Sequence, residues 1–418
     1  MTLESDSQAP SRMRRLLSGS GAIAIAIVVM NVSTYGFQMV AARLLGPEQY
    51  GGVASLLATL LVVSVLQLGM QATAARRIAA EPADVGRVER GILKISYRAS
   101  LILAALLLVL SPVIERMLRL DSIYPALLLA IGTAPMTVMG AQAGILQGER
   151  RWTSLALVYV AAGVPRLVIG LAALLIRPTE GAAMAAVALS WFAPVAVGWL
   201  ALRRSPARTA HGDQNLGPML REIWHGSMAL LAFFALSNAD IVLSRNVLSN
   251  RESGLYAGGL ILTKAVLFLP QFVAVVAFPA MSTASERRRA LLRSLGIVGA
   301  CGVVCVAGSI LLSGVAMVFI GGDGYRAIEG RLWLYAVLGT LLSALQLLVY
   351  SVLARQSRWS AYLLWVGVVV VIAVGLQVGH LTTLLVLVTV VDVVVLAALL
   401  GLSLWRMRDD PRSPQPID

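Results

Sequence analysis

Twelve apolar stretches, each long enough to cross a lipid bilayer, fill this chain and constrain its fold more than any other feature. A helix needs about 20 apolar residues to span the hydrocarbon core, where the backbone must satisfy its own hydrogen bonds. The sequence therefore predicts an all-α membrane protein with twelve transmembrane helices. The predicted spans are 19–42, 50–73, 95–114, 123–147, 152–176, 182–202, 223–248, 255–280, 292–318, 331–354, 360–379 and 382–405.

The segments between these spans are alternately rich and poor in arginine, which predicts their orientation. Basic residues accumulate in the cytoplasmic loops of membrane proteins. We therefore expect both termini to lie in the cytoplasm. An even number of spans agrees with this, because it places the two termini on the same side. The arginine-rich segments are 1–18, 74–94, 148–151, 203–222, 281–293, 355–358 and the tail after 405.

Composition excludes several classes of function. With 58% hydrophobic and only 13% charged residues, the chain has no room for a large aqueous domain. Its net charge of +13 consists mostly of loop arginine, so a nucleic-acid partner is not expected. The sequence has no phosphate-binding glycine loop, no metal-type His/Cys cluster and no nucleophile elbow. We therefore expect neither an enzyme nor a bound metal or cofactor.

A basic segment with prolines and glycines, 203–222, divides the spans six and six. We expect an N-terminal six-helix bundle over 1–202, a cytoplasmic linker over 203–222, a C-terminal six-helix bundle over 223–405 and a cytoplasmic tail over 406–418. Because six spans return the chain to its starting side, the bundles are expected to be parallel repeats. Transporters commonly bind substrate between such repeats near the midplane. We therefore expect a central cavity between the two bundles.

A short internal similarity supports this division. Arg43 ends the first span and Tyr50-Gly51-Gly52 begins the second; Arg245 and Tyr256-Ala257-Gly258 occupy the corresponding places in the seventh and eighth spans. We expect Tyr50 and Tyr256 to begin equivalent helices.

Four charged residues lie inside predicted spans away from the span ends, where each costs at least about 2.5–3.5 kcal/mol on insertion scales. Arg166 follows Pro165 near the middle of the fifth span, and we expect it to face the cavity and bind substrate. Asp240 and Lys264 lie at similar depth on adjacent spans, so they either pair with each other or act separately, Lys264 on substrate and Asp240 in charge coupling. Asp392 either pairs with Arg166 or a hydroxyl, or takes part in the same coupling.

The first span carries a polar face. Asn31, Tyr35 and Gln38 recur at helical spacing along it. Hydrocarbon offers such groups no partner, so they are expected either to line the cavity and bind substrate or to hydrogen-bond neighbouring helices. The residues alone leave both alternatives open.

The first hairpin, AARLLGPEQYG over 41–51, and matching short segments in the second half carry a resemblance to a known family. The chain resembles the polysaccharide biosynthesis proteins, the oligosaccharide flippase branch of the multidrug/oligosaccharidyl-lipid/polysaccharide exporter superfamily. The further matching segments are 238–240, 254–257, 269–270 and 278–279.

This resemblance implies two six-helix bundles around a central cavity, and alternating access for a glycan carried on a polyprenyl phosphate in the bacterial inner membrane. It also implies basic cavity residues that meet the phosphate, a role we transfer to Arg166 and Lys264. The expected partners are the lipid-linked glycan, membrane lipids, and glycan polymerase or glycosyltransferase enzymes of the same pathway. The alternative is a cation-coupled multidrug exporter of the same superfamily, for which Asp240 and Asp392 would supply cavity carboxylates.

Overall fold

The computed structural model describes residues 20–81, 84–203, 216–267, 287–353 and 358–408, and within them the chain is helical and contains no β-strand. A 3-10 segment spans Gly322–Arg331. The helices are α1 Ser20–Ala80, α2 Val85–Leu118, α3 Tyr124–Gly148, α4 Trp152–Ile176, α5 Glu180–Ser190, α6 Phe192–Arg203, α7 Leu216–Val247, α8 Asn250–Val266, α9 Arg287–Leu311, α10 Ser313–Ile320, α11 Leu332–Leu353, α12 Arg358–Gly375 and α13 Leu381–Arg408.

These helices confirm the all-α membrane fold. Within the described residues, nine helical stretches are long and apolar enough to cross a membrane. The first of them, Gly21–Ala80, contains both the first and the second predicted span. The eighth and eleventh predicted spans coincide with the shorter helices α8 and α12, and residues 268–280 of the eighth lie outside the described residues. Each predicted span thus overlaps at least one helix of the described residues.

Within the described residues, one helix break lies between two predicted spans, and two breaks lie within predicted spans. The first and second spans are the two helical segments of α1, which meet at a kink at Gly46 with φ 69° and ψ 173°. An L side chain rarely adopts this positive φ, so glycine permits the break, and Pro47 then starts the second segment. The sixth span is interrupted at Trp191, between α5 and α6, and the ninth at Leu312, between α9 and α10. These two interruptions lie within apolar sequence.

The helices pair in the same pattern in each half. In the first half α1 packs on α3 and α4, and in the second half α7 packs on α12 while α8 packs on α11. Likewise α2 packs on α3 as α9 packs on α11, and α4 packs on α5 and α6 as α12 packs on α13. Glycines permit the close approach: a Cβ at Gly140 or Gly144 would collide with the backbone of α1. The repeated pairing agrees with the internal repeat inferred from the sequence.

The two halves meet along α1. Its second segment runs beside α7, where Ser55 Oγ lies 3.5 Å from the carbonyl oxygen of Ile241. Its first segment reaches α8, where the Tyr35 hydroxyl donates to the carbonyl oxygen of Lys264 over 2.8 Å. The polar face of the first span therefore points toward the other half. Residues 1–19, the 204–215 portion of the expected linker, and 409–418 in the expected tail lie outside the described residues.

Candidate functional site

A buried guanidinium occupies the middle of the N-terminal half. Arg166 lies on α4 directly after Pro165, and only 7% of the residue is exposed. Its guanidinium carbon lies 4.6 Å from the ring centroid of Trp191, at the break between α5 and α6. A cation over an indole face is attracted by the ring quadrupole. A proline and a helix break therefore meet at this one cationic position.

Two N–H donors at this position have no acceptor. Arg166 Nε and Trp191 Nε1 are both buried, and neither has a hydrogen-bond partner within the described part of the chain. No carboxylate there forms an ion pair with Arg166, so the alternative in which Asp392 pairs with Arg166 or a hydroxyl is wrong. Buried donors without acceptors are destabilising, and a buried unpaired charge more so. The arrangement is suited to a ligand that brings oxygen acceptors and negative charge.

The middle of the C-terminal half carries buried carboxyl groups instead. Asp240 on α7 accepts a hydrogen bond from the Tyr256 hydroxyl over 2.7 Å and one from the backbone N–H of Ile241 over 2.8 Å. Asp392 on α13 is fully buried, and neither of its carboxyl oxygens has a partner among the described residues. The two carboxyls are close enough for their charges to interact. The buried Tyr335 hydroxyl also lacks a partner among these residues.

Lys264 lies where α8 meets the first half. Its ammonium donates to the side-chain oxygen of Asn238, and its backbone carbonyl accepts from Tyr35. Asp240 and Lys264 form no direct ion pair in the described structure, so the simple pairing expected as one alternative is wrong. Lys264 nevertheless lies within electrostatic range of the Asp240 carboxylate. A cation, an amide and a phenol thus gather at the boundary between the halves.

The other polar residues of the first two spans divide into two groups. Asn31 and Gln38 are half-buried on the helix face that carries Tyr35. Gln71, on the second span, instead donates to Gln147 at 3.1 Å and to Tyr159 at 2.7 Å, within the N-terminal half. The polar face of the first span therefore serves the boundary between the halves, whereas Gln71 serves interhelical hydrogen bonding.

Sequence reasoning identified Arg166 but missed the residue beneath it. Trp191 lies in the middle of the sixth predicted span, whereas most tryptophans of this chain lie near span ends. A mid-span tryptophan is out of place for an interfacial anchor, and this was the available signal. Among the described residues no group of three His, Cys, Asp or Glu side chains is placed to hold a metal ion.

Comparison with known proteins places this geometry in context. Residues 16–285 match the family model described as polysaccharide biosynthesis protein. No curated protein matches the chain in sequence.

Solved structures share the fold at low sequence identity. An inward-facing multidrug resistance MATE family transporter of the MOP superfamily is 16% identical, with 92% of this chain and 96% of that chain covered and a TM-score of 0.69. The MATE multidrug transporter DinF-BH is 15% identical, with coverages of 96% and 97% and a TM-score of 0.69. A MOP superfamily transporter from Pyrococcus furiosus is 16% identical, with coverages of 94% and 96% and a TM-score of 0.63. These similarities show that the chain has the MATE-like transporter fold.

Proposed function

Because the chain belongs to the polysaccharide biosynthesis protein family, we propose that it exports a polyprenyl-phosphate-linked oligosaccharide. The glycan would move from the inner to the outer face of the bacterial cytoplasmic membrane by alternating access, for assembly of a cell-surface polysaccharide. The family and its structural neighbours are transporters, which supports transport rather than catalysis. The lipid-linked glycan is the proposed substrate, and the polymerase or glycosyltransferases of the same pathway are the proposed partners.

The observation that carries this proposal is the unpaired Arg166 guanidinium stacked on Trp191. A lipid-linked diphosphate cannot enter hydrocarbon alone, because removing its charges from water costs too much free energy. A guanidinium can replace that water with charge-assisted hydrogen bonds to phosphate oxygens. The indole N–H adds a second donor for a phosphate or sugar oxygen. Arg166 is therefore the proposed binding group for the charged head of the substrate.

Residues at the boundary between the halves are proposed to form the other side of the same site. Lys264 supplies a second positive charge there, and Tyr35 lies against its backbone. Asn31 and Gln38 share the helix face of Tyr35 and offer amide groups to sugar hydroxyls. The proposed site thus places a cation in each half, so that both halves grip an anionic ligand.

Asp240 and Asp392 are proposed to couple transport to an ion gradient. Asp392 is a buried carboxyl without a partner among the described residues, which suits it to bind a proton or a monovalent cation. Asp240, which is hydrogen-bonded to Tyr256, lies within electrostatic range and would share that charge. The membrane potential also favours outward export, because each negative charge moved outward gains about 2.3 kcal/mol per 100 mV.

The second candidate, a cation-coupled multidrug exporter, is favoured by the same two carboxyls, which suit an organic cation. The solved relatives include multidrug transporters. For the Pyrococcus furiosus relative, a reversed polarity of the binding pocket is said to suggest a different function. We prefer the glycan exporter because Arg166 and Lys264 would repel an organic cation.

Deletion of the gene in its native bacterium tests the proposed function. We expect the surface polysaccharide to disappear and its lipid-linked precursor to accumulate on the cytoplasmic face, with both changes reversed by a plasmid-borne copy. Sensitivity to lipophilic cations such as tetraphenylphosphonium should not change. Normal surface polysaccharide together with increased sensitivity to such cations would instead identify the multidrug exporter.

A further inference from the structure

The C-terminal ends of α2 and α7, which belong to different halves, meet at one end of the molecule. Arg245 on α7 is 1% exposed and donates from Nε to the carbonyl oxygen of Leu118 over 2.7 Å and from Nη2 to that of Arg119. Asn246 donates from its side-chain amide to the carbonyl oxygen of Met117 over 3.0 Å. Two consecutive residues of one half thus cap three consecutive carbonyls of the other.

The contact is reciprocal. Arg119 donates from Nη2 to the carbonyl oxygen of Asn246 over 2.9 Å and from Nη1 to that of Leu248 over 3.4 Å, at the end of α7. The last carbonyls of a helix lack partners inside the helix and carry its partial negative charge. Each helix end is therefore satisfied by an arginine from the other half. We call this contact of Met117, Leu118, Arg119, Arg245, Asn246 and Leu248 the cap junction.

The backbone of Arg119 indicates that its side chain is needed there. Arg119 has φ 47° and ψ 55°, the left-handed conformation in which helices usually end on Gly or Asn. A residue with a Cβ pays a conformational cost in this region. An arginine at this position offsets that cost through the two hydrogen bonds that its guanidinium gives to α7.

The second segment of α1 packs closely against the junction through two glycines. A Cβ at Gly51 would lie 3.2 Å from Arg245 Nη1, and a Cβ at Gly52 would collide with the carboxyl of Glu180. Glu180 is 3% exposed and lies within electrostatic range of Arg245. The N-terminal half therefore surrounds the Arg245 guanidinium with helix carbonyls and a carboxylate.

The repeat-related position makes no comparable contact. Arg43 corresponds to Arg245 in the internal similarity, but its side chain is exposed. The neighbouring carbonyl of Ala42 instead accepts a hydrogen bond over 3.2 Å from the Tyr325 hydroxyl, which belongs to the other half. Charge-assisted hydrogen bonds are roughly twice as strong as neutral ones. The cap junction is accordingly the stronger of the two links.

We propose that the cap junction is a latch that holds the two halves together at this end and must break for the transporter to open there. The connecting segments at this end are the arginine-poor ones, so it is the end that the sequence predicts to face outward. The inference rests on the proposed function only in that alternating access requires the halves to separate at this end. The residues of the cap junction are the groups that set the free energy of that separation.

Distance measurements between spin labels on the two halves test the latch directly. Tyr124 and Arg251 are exposed, lie close in sequence to the junction and take no part in it. Both residues would be replaced by Cys and spin-labelled in a variant in which Cys301 and Cys305 are replaced by Ser. Double electron-electron resonance would then give the distances between the two labels in lipid nanodiscs without substrate. Arg119→Gly, Arg245→Ala and Arg43→Ala would be compared in this background.

We expect Arg119→Gly to raise the population with a long label-to-label distance at least about fivefold, because two charged hydrogen bonds are lost. Glycine removes the backbone cost at this position, so a purely conformational role predicts no opening. Arg245→Ala should have a larger effect and Arg43→Ala none. If Arg245→Ala does not insert stably, Arg119→Gly alone decides.

Distance distributions of Arg119→Gly that match those of Arg43→Ala would overturn the latch. This readout records separation of the halves without any transported substrate. Failure of the latch is thus distinguishable from failure of the proposed function. If only the proposed function is wrong, the halves of the wild-type protein would still separate, but the protein would export no glycan.

Discussion

Among the described residues, the middle of the N-terminal half buries a guanidinium whose Nε lacks an acceptor, whereas the middle of the C-terminal half buries a carboxyl that lacks a donor. Arg166 Nε and Trp191 Nε1 lack acceptors in one half, and both carboxyl oxygens of Asp392 lack donors in the other, within the described residues. Counted from helix starts, Trp191 is the twelfth residue from Glu180 and Asp392 the twelfth from Leu381. Corresponding places in two similarly packed halves thus carry opposite chemistry.

This difference suggests how two halves with the same helix packing can bind ligands of opposite charge. The shared packing fixes where a polar side chain can lie, and the residue at that position decides whether an anion or a cation is attracted. On our account Arg166 of the N-terminal half, with Lys264 at the boundary between the halves, receives the anionic head of the substrate, and the carboxyls of the C-terminal half receive the coupling cation or proton. The following changes would break or sharpen that division.

The largest effect is expected from removing the guanidinium of the N-terminal half. Arg166→Ala should reduce glycan export about 100-fold, because two or more charge-assisted hydrogen bonds to phosphate are lost. Arg166→Lys should retain part of the activity, because it keeps the charge but not the planar fork. Surface glycan and membrane abundance would be measured together, with exposed Arg177→Ala as the matched control. Normal export by Arg166→Ala would contradict the assignment of Arg166 to substrate binding. Loss of the variant from the membrane would indicate a structural role for Arg166.

Removing the unpartnered acid should affect coupling more than stability. Asp392→Asn is expected to make export about tenfold less responsive to an imposed ion gradient, within the usual range of coupling energies. The midpoint of thermal unfolding should stay the same or rise, because a buried ionisable group without partners is removed. Uptake of the lipid-linked glycan into vesicles under an imposed ion gradient measures the response to the gradient, with the exposed Asp323→Asn as control. An unchanged gradient response would separate Asp392 from coupling.

At the boundary between the halves the expected effect is smaller. Lys264→Gln should weaken the apparent affinity for the lipid-linked glycan about fivefold, because a glutamine amide can replace some of the hydrogen bonding but not the charge. The maximal rate should change little. Concentration-dependent transport in vesicles would separate the two quantities, with exposed Lys94→Gln as control. An unaltered affinity would confine the anion site to the N-terminal half.

The smallest effect concerns two repeat-related tyrosines that are both fully buried. The Tyr256 hydroxyl donates to Asp240, whereas the Tyr50 hydroxyl has no partner among the described residues. Tyr256→Phe should therefore lower the free energy of unfolding by about 1.5–3 kcal/mol, since a hydrogen bond to a charged group is lost. Tyr50→Phe should be neutral or stabilising. Equal effects in denaturant titration would show that the halves do not differ here.

The sequence predicted the features that depend on local pattern. Apolar length identifies the helices, and the position of Arg166 near the middle of its helix follows from counting residues. Gly46 and Pro47 predict a break between the first two spans, and the structure has a non-helical residue at Gly46 that separates the two helical segments of α1.

Contacts between distant helices were not predictable in the same way. Nothing in the sequence states which helix lies beneath Arg166, so the role of Trp191 and the absence of an Arg166–Asp392 pair appear only in the structure. The environments of Arg43 and Arg245 also differ although their local sequences are similar. Pairing across the halves depends on tertiary packing that a single sequence does not encode in short motifs.

Translocation in reconstituted vesicles tests the central claim most directly. Purified protein would be placed in liposomes with a fluorescent oligosaccharide on polyprenyl diphosphate, and the fraction of label exposed to a membrane-impermeant quencher would be followed under an imposed potential. We predict translocation well above that of protein-free liposomes, faster when the potential favours movement of negative charge toward the destination face, and abolished by Arg166→Ala. Transport of tetraphenylphosphonium without any acceleration of the lipid-linked glycan would contradict the account.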